Sequence, residues 1–451
     1  MDMNQINTMS KLLQQIDLEK VLALSEKVDL SQLIEALGTM NPQDLDRMMK
    51  QVGACQAYKS TPPIDSDFYD IAGVFTEEER AYQTKVRKFM EKEVQPVIND
   101  YWERGEFPYE LIPKFAKVLA ETIGARPDYF AYQSSLRLGV IFMEIARVDP
   151  SLCTFFGVHW GLCMGTISSF GSAEQKAHWL PKLERLEKIG SWALTEPDVG
   201  SAAAAGLTTT ARREGDAWIL AGEKKWSGNA TFADVNIIWA RDESDNEVKG
   251  FLVEKGTPGY IVEKLGGKIA KRAVENVHIK LKNCAVPETN RLPGVTAFRD
   301  ISRYLAQARV FVAWEAVGIA MGAYEHTLDY ANNRIQFGRP ITSFQLVQDG
   351  LVKMLGNITA MQTMLLRLSQ LMIKHNTVSQ ARASLAKAFC AEKMRETVSI
   401  ARGLLGGNGI LLEYDVARYF ANAEAVYSYE GAHEINTLIV GRAITGQSAL
   451  V

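Results

Sequence analysis

The chain has 451 residues, 47% of them hydrophobic and 23% charged, with a formal net charge of -3. This balance excludes intrinsic disorder and supplies enough apolar material for two or three domains. It also gives no overall basic field for nucleic acid or anionic membrane, and no stretch approaches the roughly 20 apolar residues that a membrane-spanning helix needs.

Residues 1–58 read as an appendage of short amphipathic helices, with Gly38 as a stop and Asn41-Pro42 as the next start. The acidic residues in its first twenty positions fit neither a secretory signal nor a basic transit peptide. Residues 59–67, with Pro62-Pro63, read as a linker into an N-terminal helical domain that ends near residue 190. Between 191 and 294 the period changes to that of strands, most clearly at 235–240 and at Val277-His278-Ile279-Lys280-Leu281, which predicts a middle β domain. From 295 to 451 long helices return, over 301–333, 343–375 and 378–405. The order predicts an α+β chain in which a β domain is flanked by helical bundles. Five scattered cysteines (Cys55, Cys153, Cys163, Cys284 and Cys390) form no C-x-x-C pair, so no metal site is expected and a reducing, cytoplasmic setting fits.

Five segments carry chemistry. They are Leu194-Thr195-Glu196-Pro197 with Gly200-Ser201, Trp226-Ser227-Gly228-Asn229, Arg334-Ile335-Gln336-Phe337-Gly338-Arg339-Pro340, Leu405-Gly406-Gly407-Asn408-Gly409, and Tyr429-Glu430-Gly431. Taken singly, four of them have a commonplace use: a strand and turn, a core tryptophan, a helix C-cap and turn, a merely structural glutamate. In this order and spacing they resemble the acyl-CoA dehydrogenase and acyl-CoA oxidase family, from Thr76 to the C-terminus. The resemblance is nearest to the glutaryl-CoA dehydrogenase and short-chain acyl-CoA oxidase branch. It implies an N-terminal helical domain, a β-barrel-like middle domain and a C-terminal four-helix bundle, assembled as a homodimer or homotetramer.

The resemblance implies FAD as cofactor, with Leu194 and Thr195 bonding the flavin ring and Trp226 and Gly228 beside it. Arg334, Gln336, Phe337 and Gln345 would reach the pyrophosphate and adenosine half, usually from a neighbouring subunit, where an arginine fork suits phosphate. Gly406, Gly407 and Gly409 would let backbone amides approach the dinucleotide. Glu430 matches the base that removes the proton alpha to a thioester carbonyl, a task that needs a dry pocket and hydrogen bonds to the developing enolate oxygen. Some relatives carry their base at the position of Ala308, which alanine cannot serve. Ser201, Arg309 and Gly431 match substrate-binding positions. Arg104 falls near a distal-carboxylate site in an ambiguous alignment, and His433 reads as structural.

The chain departs from the family at 124–133, where Pro127, Tyr129 and Tyr132 replace a glycine-rich loop of the acyl cavity, at Ala202, where an aspartate is usual, and at Ser227, where Ile or Val is usual. Three readings follow. The first is alpha,beta-desaturation of an acyl-CoA with electron-transfer flavoprotein as acceptor. The second is a biosynthetic flavoenzyme acting on an unusual or carrier-bound acyl group, with oxygen as a possible acceptor. The third is a non-catalytic binding or assembly protein.

Overall fold

The computed structural model describes residues 65–123 and 132–449. The chain divides into two units, Met1–Ile64 and Asp65–Val451. The helices expected over 1–58, and Pro127 and Tyr129 of the altered loop, lie outside the described residues.

The second unit opens with α1 (Glu77–Phe89), whose start is fixed by a capping box: Thr76 accepts from the Glu79 amide and Glu79 accepts from the Thr76 amide. There follow α2 (Gln95–Arg104), ended by Gly105 at φ 67°, α3 (Ile112–Ile123), α4 (Ser135–Val148), α5 (Pro150–Phe156), α6 (Gly165–Phe170) and α7 (Ala173–Glu184). Two π-helical stretches, Met90–Val94 and Gly157–Met164, interrupt what the sequence suggested was ordinary helix. Helix α4 is buried along its whole length.

Seven strands form the middle sheet: β1 (Gly190–Ala193), β2 (Thr210–Glu214), β3 (Ala217–Gly228), β4 (Val235–Asp242), β5 (Val248–Glu254), β6 (Tyr260–Lys264) and β7 (Asn276–Pro287), with the short helix α8 (Ala203–Gly206) between the first two. Strands β1 and β2 share one edge of β4, pairing parallel to its first and last residues, while β5 runs antiparallel along the other. From β2 the ladder continues antiparallel through β3, β7 and β6. Strand β4 is buried along nearly its whole length, its apolar residues Val235, Ile237, Ile238, Trp239 and Ala240 included, and it has paired neighbours on both edges.

The C-terminal helices are α9 (Phe298–Asn333), α10 (Gln345–His375), α11 (Gln380–Leu404), α12 (Val416–Ser428) and α13 (His433–Thr445), with a two-strand hairpin, β8 (Ile335–Gln336) and β9 (Arg339–Pro340), after α9. Helix α9 packs against α4 so closely that a Cβ on Gly318 would stand 2.1 Å from the Met143 carbonyl oxygen, and one on Gly322 2.2 Å from that of Arg147. This small-residue seam lets two backbones meet and joins the N-terminal helices to the bundle in one core. A second apolar cluster, including Trp218, Ile238, Phe251 and Ile279, fills the sheet.

Candidate active site

Glu430 stands in the connection between α12 and α13, with φ 53°, followed by Gly431 at φ 80°. A left-handed conformation costs a non-glycine residue about 1–2 kcal/mol, so neighbours must hold it. Three side chains hold the loop. Asn436 Nδ2 donates to the carbonyls of Gly431 (2.8 Å) and Ala432 (3.3 Å). Lys387 Nζ donates to the carbonyls of Tyr427 (2.9 Å) and Gly431 (3.0 Å). The Tyr429 hydroxyl donates to Glu315 Oε2 at 2.6 Å.

Glu430 is half-buried in this loop. Burial raises it above its ordinary value, while Arg309 and Lys387 act in the opposite sense. Arg309 is 8% exposed, so it is no solvated helix charge; burial pulls it down and Glu430 holds it up. Its guanidinium donates to Gln380 Oε1, and Gln380 in turn donates to the Ser302 carbonyl. Tyr304, raised chiefly by burial and then by the charge of Glu430, donates to the carbonyl of Gly161. The Glu430 carboxyl therefore lies among two cations and a phenol, where burial favours its protonated form and the cations its ionised one.

Trp226 is set by a β-bulge. The register of β3 on β7 runs from Lys225 opposite His278 to Ser227 opposite Val277, leaving Trp226 unpaired at φ 74° with 54% of its surface exposed. A bulge of this kind re-aims a side chain out of the ladder. The Ser227 hydroxyl beside it is buried with no partner among the described residues. Leu194 and Thr195 are anchored just behind: Lys224 Nζ donates to the Leu194 carbonyl (3.0 Å) and to Glu196 Oε1 (2.8 Å), and the Lys225 amide donates to the Thr195 carbonyl (2.8 Å). Burial brings Lys224 down to about 8 against the pull of Glu196. Glu196 is pushed up by its own burial but more strongly down by Lys224, Thr209 and the Thr208 amide, to about 2. This buried ion pair fixes the strand end that presents Leu194 and Thr195.

Two routes connect the bulge with the Glu430 loop. The π-helical stretch Gly157–Met164 places Val158 against Gly228, where a Cβ would be 3.2 Å from Val158 Cγ2, and offers the Gly161 carbonyl to Tyr304. Asn276 donates to the Trp226 carbonyl (2.8 Å) at the end of the β6–β7 connection, and in that connection Lys271 Nζ reaches Glu315, the acceptor of Tyr429. The Trp226 bulge and the Glu430 loop are thus linked through these intervening residues.

A second group lies together elsewhere. Arg334, Gln336 and Phe337 occupy the exposed β8–β9 hairpin, with Phe337 at φ 53° and 92% exposed, and Gln345 is exposed at the start of α10. Gly406, Gly407 and Gly409 form a tight turn after α11, joined to the hairpin through Tyr330: Asn408 donates to its hydroxyl (3.0 Å) and the Arg334 amide to its carbonyl (2.8 Å). No hydrogen bond or ion pair joins this group to the Trp226 group among the described residues. Ser201 is exposed beside α8. Arg104 is committed to Glu106 (2.9 Å) and to the face of Tyr101. His433 stacks on Tyr427, and Ala308 is buried and inert. Reading from sequence alone passed over Lys387, Tyr304 and the Lys224–Glu196 pair. For Lys387 a signal existed: with Ala383, Cys390, Ala391 and Met394 it shares the buried stripe of α11, where a lysine is out of place.

Comparison with known proteins agrees with this fold. The models of the acyl-CoA dehydrogenase N-terminal, middle and C-terminal domains match residues 76–187, 191–284 and 298–445. The mitochondrial short-chain specific acyl-CoA dehydrogenase of Mus musculus is 33% identical over 367 residues, 78% of this chain and 87% of that protein. The crystal structure of glutaryl-CoA dehydrogenase from Mycobacterium smegmatis superposes with a TM-score of 0.81 at 34% identity, covering 86% of this chain and 100% of that one. A second such structure, in complex with FADH2, gives a TM-score of 0.81 at 31% identity, covering 85% and 99%. The chain belongs to the acyl-CoA dehydrogenase family, whose members are FAD-dependent oxidoreductases acting on CH–CH bonds. The residues present fit that cofactor, given the bulged, solvent-facing Trp226 and the unpartnered Ser227 hydroxyl next to it. Among the described residues no cluster suits a metal ion, and no helix is long and apolar enough to cross a membrane.

Proposed function

We propose that the protein desaturates a short acyl-CoA thioester between its alpha and beta carbons, with Glu430 as the base. The observation that carries this reading is the strained, half-buried Glu430 flanked by Arg309 and Lys387. A carboxylate so placed is partly desolvated and has cationic neighbours that favour its ionised form, the balance a base for a weak carbon acid requires. Glu430 takes the alpha proton. Bound FAD supplies the acceptor for the beta hydride. Leu194, Thr195, Trp226 and Gly228 would hold the flavin ring, and the β8–β9 hairpin with the Gly406–Gly409 turn would hold the dinucleotide of a neighbouring subunit, which makes a homodimer or a dimer of dimers the functional form. The short acyl class is supported by the likeness to a short-chain specific enzyme and by Tyr304 reaching across to Gly161 close to the base.

The test is anaerobic mixing of purified, FAD-loaded protein with a panel of acyl-CoA thioesters. A substrate bleaches the flavin absorbance. Glu430→Gln should retain FAD and lose bleaching by roughly 10²- to 10⁴-fold, the usual contribution of a positioned base. Bleaching at the wild-type rate would remove Glu430 from the mechanism. Electron-transfer flavoprotein is the proposed acceptor, and peroxide release in air would assign oxygen instead.

A further inference from the structure

Lys387 is completely buried on the face of α11 that packs against the Glu430 loop, where it is one of the two cations beside that carboxylate. A buried ammonium without an anion is expensive, and desolvation brings this one down to about 8. Among the described residues no carboxylate forms an ion pair with it. Its hydrogen-bond acceptors are two backbone carbonyls, those of Tyr427 and Gly431. Tyr427 belongs to the last turn of α12, whose carbonyls lack intrahelical donors, and Gly431 follows the base, so the two acceptors bracket Glu430 along the chain. The charged groups around it are Glu430, Arg309, Glu315 and Glu434, with Glu430 the strongest of the stabilising charges. Tyr304 faces Glu430, and His433 stacks on Tyr427.

We propose that Lys387 is a positioning residue for the base: by binding the carbonyls on both sides of Glu430 it fixes the left-handed turn that presents the carboxylate, and it sets a positive charge facing that carboxylate. The inference rests on Glu430 being the base. A lysine suits the place because its ammonium has three donors on a slim stem, whereas the broader planar guanidinium of arginine would have to displace its buried neighbours to reach both carbonyls. An ionised Lys387 keeps Glu430 ionised at lower pH than burial alone would allow, so its loss should both misplace the base and shift the pH at which the base works.

The experiment compares wild type, Lys387→Met, Lys387→Arg and Glu430→Gln, each loaded with FAD, by anaerobic reduction with butyryl-CoA across pH. Lys387→Met should keep FAD and an unchanged KM, lose about 10²-fold in reduction rate, the effect of a displaced catalytic group, and rise with pH at a higher midpoint. Lys387→Arg should restore the midpoint and still reduce the flavin at least tenfold more slowly. A Lys387→Met protein with wild-type rate and midpoint overturns the proposal. So does a slow one whose midpoint has not moved, since a merely structural lysine would behave that way. If Lys387→Met does not fold, Lys387→Arg decides: a slowed rate at the wild-type midpoint supports the proposal and a wild-type rate overturns it. Bleaching by Glu430→Gln would sink the base itself, whereas a silent Glu430→Gln beside a wild-type Lys387→Met sinks only the role of Lys387.

Discussion

Tyr429, the residue before the base, donates a 2.6 Å hydrogen bond to Glu315 Oε2 on α9, and the same carboxylate receives Lys271 Nζ from the β6–β7 connection. Lys271 also donates to the Pro150 carbonyl at 2.7 Å, so one buried network joins the base loop, the long helix, the sheet and the start of α5. Glu315→Ala leaves Lys271 buried without its anion and should cost about 3–5 kcal/mol of stability. Tyr429→Phe removes one hydrogen bond and should cost about 1–2 kcal/mol, with slower flavin reduction because the loop loses a tether. Denaturant unfolding of both variants checks the order; equal losses would contradict it.

Much of this architecture was legible in the sequence for a physical reason. Period separates strand from helix, so the change of texture near residue 191 and the return to helices after 295 stood out, and β4 and β7 fell where the apolar run and the alternation placed them. Glu430 and Trp226 were singled out because their neighbours form recognisable segments, and Arg309 only by its matching position. What escaped depends on tertiary contact. The bulge that turns Trp226 outward is a register shift against β7, and register is a property of two strands. The π-helical stretch at Gly157–Met164 has the composition of ordinary helix. Lys387 and the Lys224–Glu196 pair carry no motif, since a lysine in an apolar stripe acquires meaning only when the carbonyls or the carboxylate it meets are known.

The Lys224–Glu196 pair predicts an acid sensitivity. Glu196 is held at about 2, below its ordinary 4.5, so the native state binds fewer protons than the unfolded chain between those values. Its contribution is present above pH 4.5 and is lost as pH falls toward 2. Glu196→Gln strands a buried lysine and should be less stable than wild type by about 3–5 kcal/mol at neutral pH. The gap should narrow as the pH is lowered below about 4.5, because the wild type alone then gives up its ionised carboxylate. Urea unfolding at stepped pH measures it; a gap independent of pH would refute the assignment.

Glu430 has the opposite sign. Its raised pKa means that the native state holds a proton more readily than the unfolded chain, so its contribution to stability is present below 4.5 and is lost as pH rises through its folded value. The melting temperature of Glu430→Gln relative to wild type should therefore rise as the pH is raised from 4.5 to 8. Flavin reduction in the wild type should climb with pH over the same interval, since only the carboxylate accepts a proton. Matching pH profiles for melting and reduction would tie one group to both.

Trp226 contributes little to the fold by burial, being 54% exposed on a bulge. Trp226→Ala should change unfolding free energy by less than about 1 kcal/mol while lowering the FAD content of purified protein. Flavin absorbance relative to protein, set beside a denaturation curve, separates these effects. Collapse of stability with full FAD content would show that the ring is structural.

The exposed hairpin carrying Arg334 and Phe337 leads to a test of subunit sharing. If Arg334 serves the FAD of a neighbouring subunit, Arg334→Ala and Glu430→Gln should complement each other. Each is inactive alone: the first binds FAD poorly for want of a phosphate partner, the second lacks its base. In a mixed dimer one site combines the intact Glu430 of one subunit with the intact Arg334 of the other, and the second site lacks both. Co-expressing the two variants with different tags and purifying the hybrid should recover about half of the wild-type flavin and reduction per dimer. If Arg334 acts within its own subunit, no site in the hybrid is whole and activity stays absent. The recovered fraction therefore reads directly whether the hairpin reaches across an interface, independently of any measurement of assembly size.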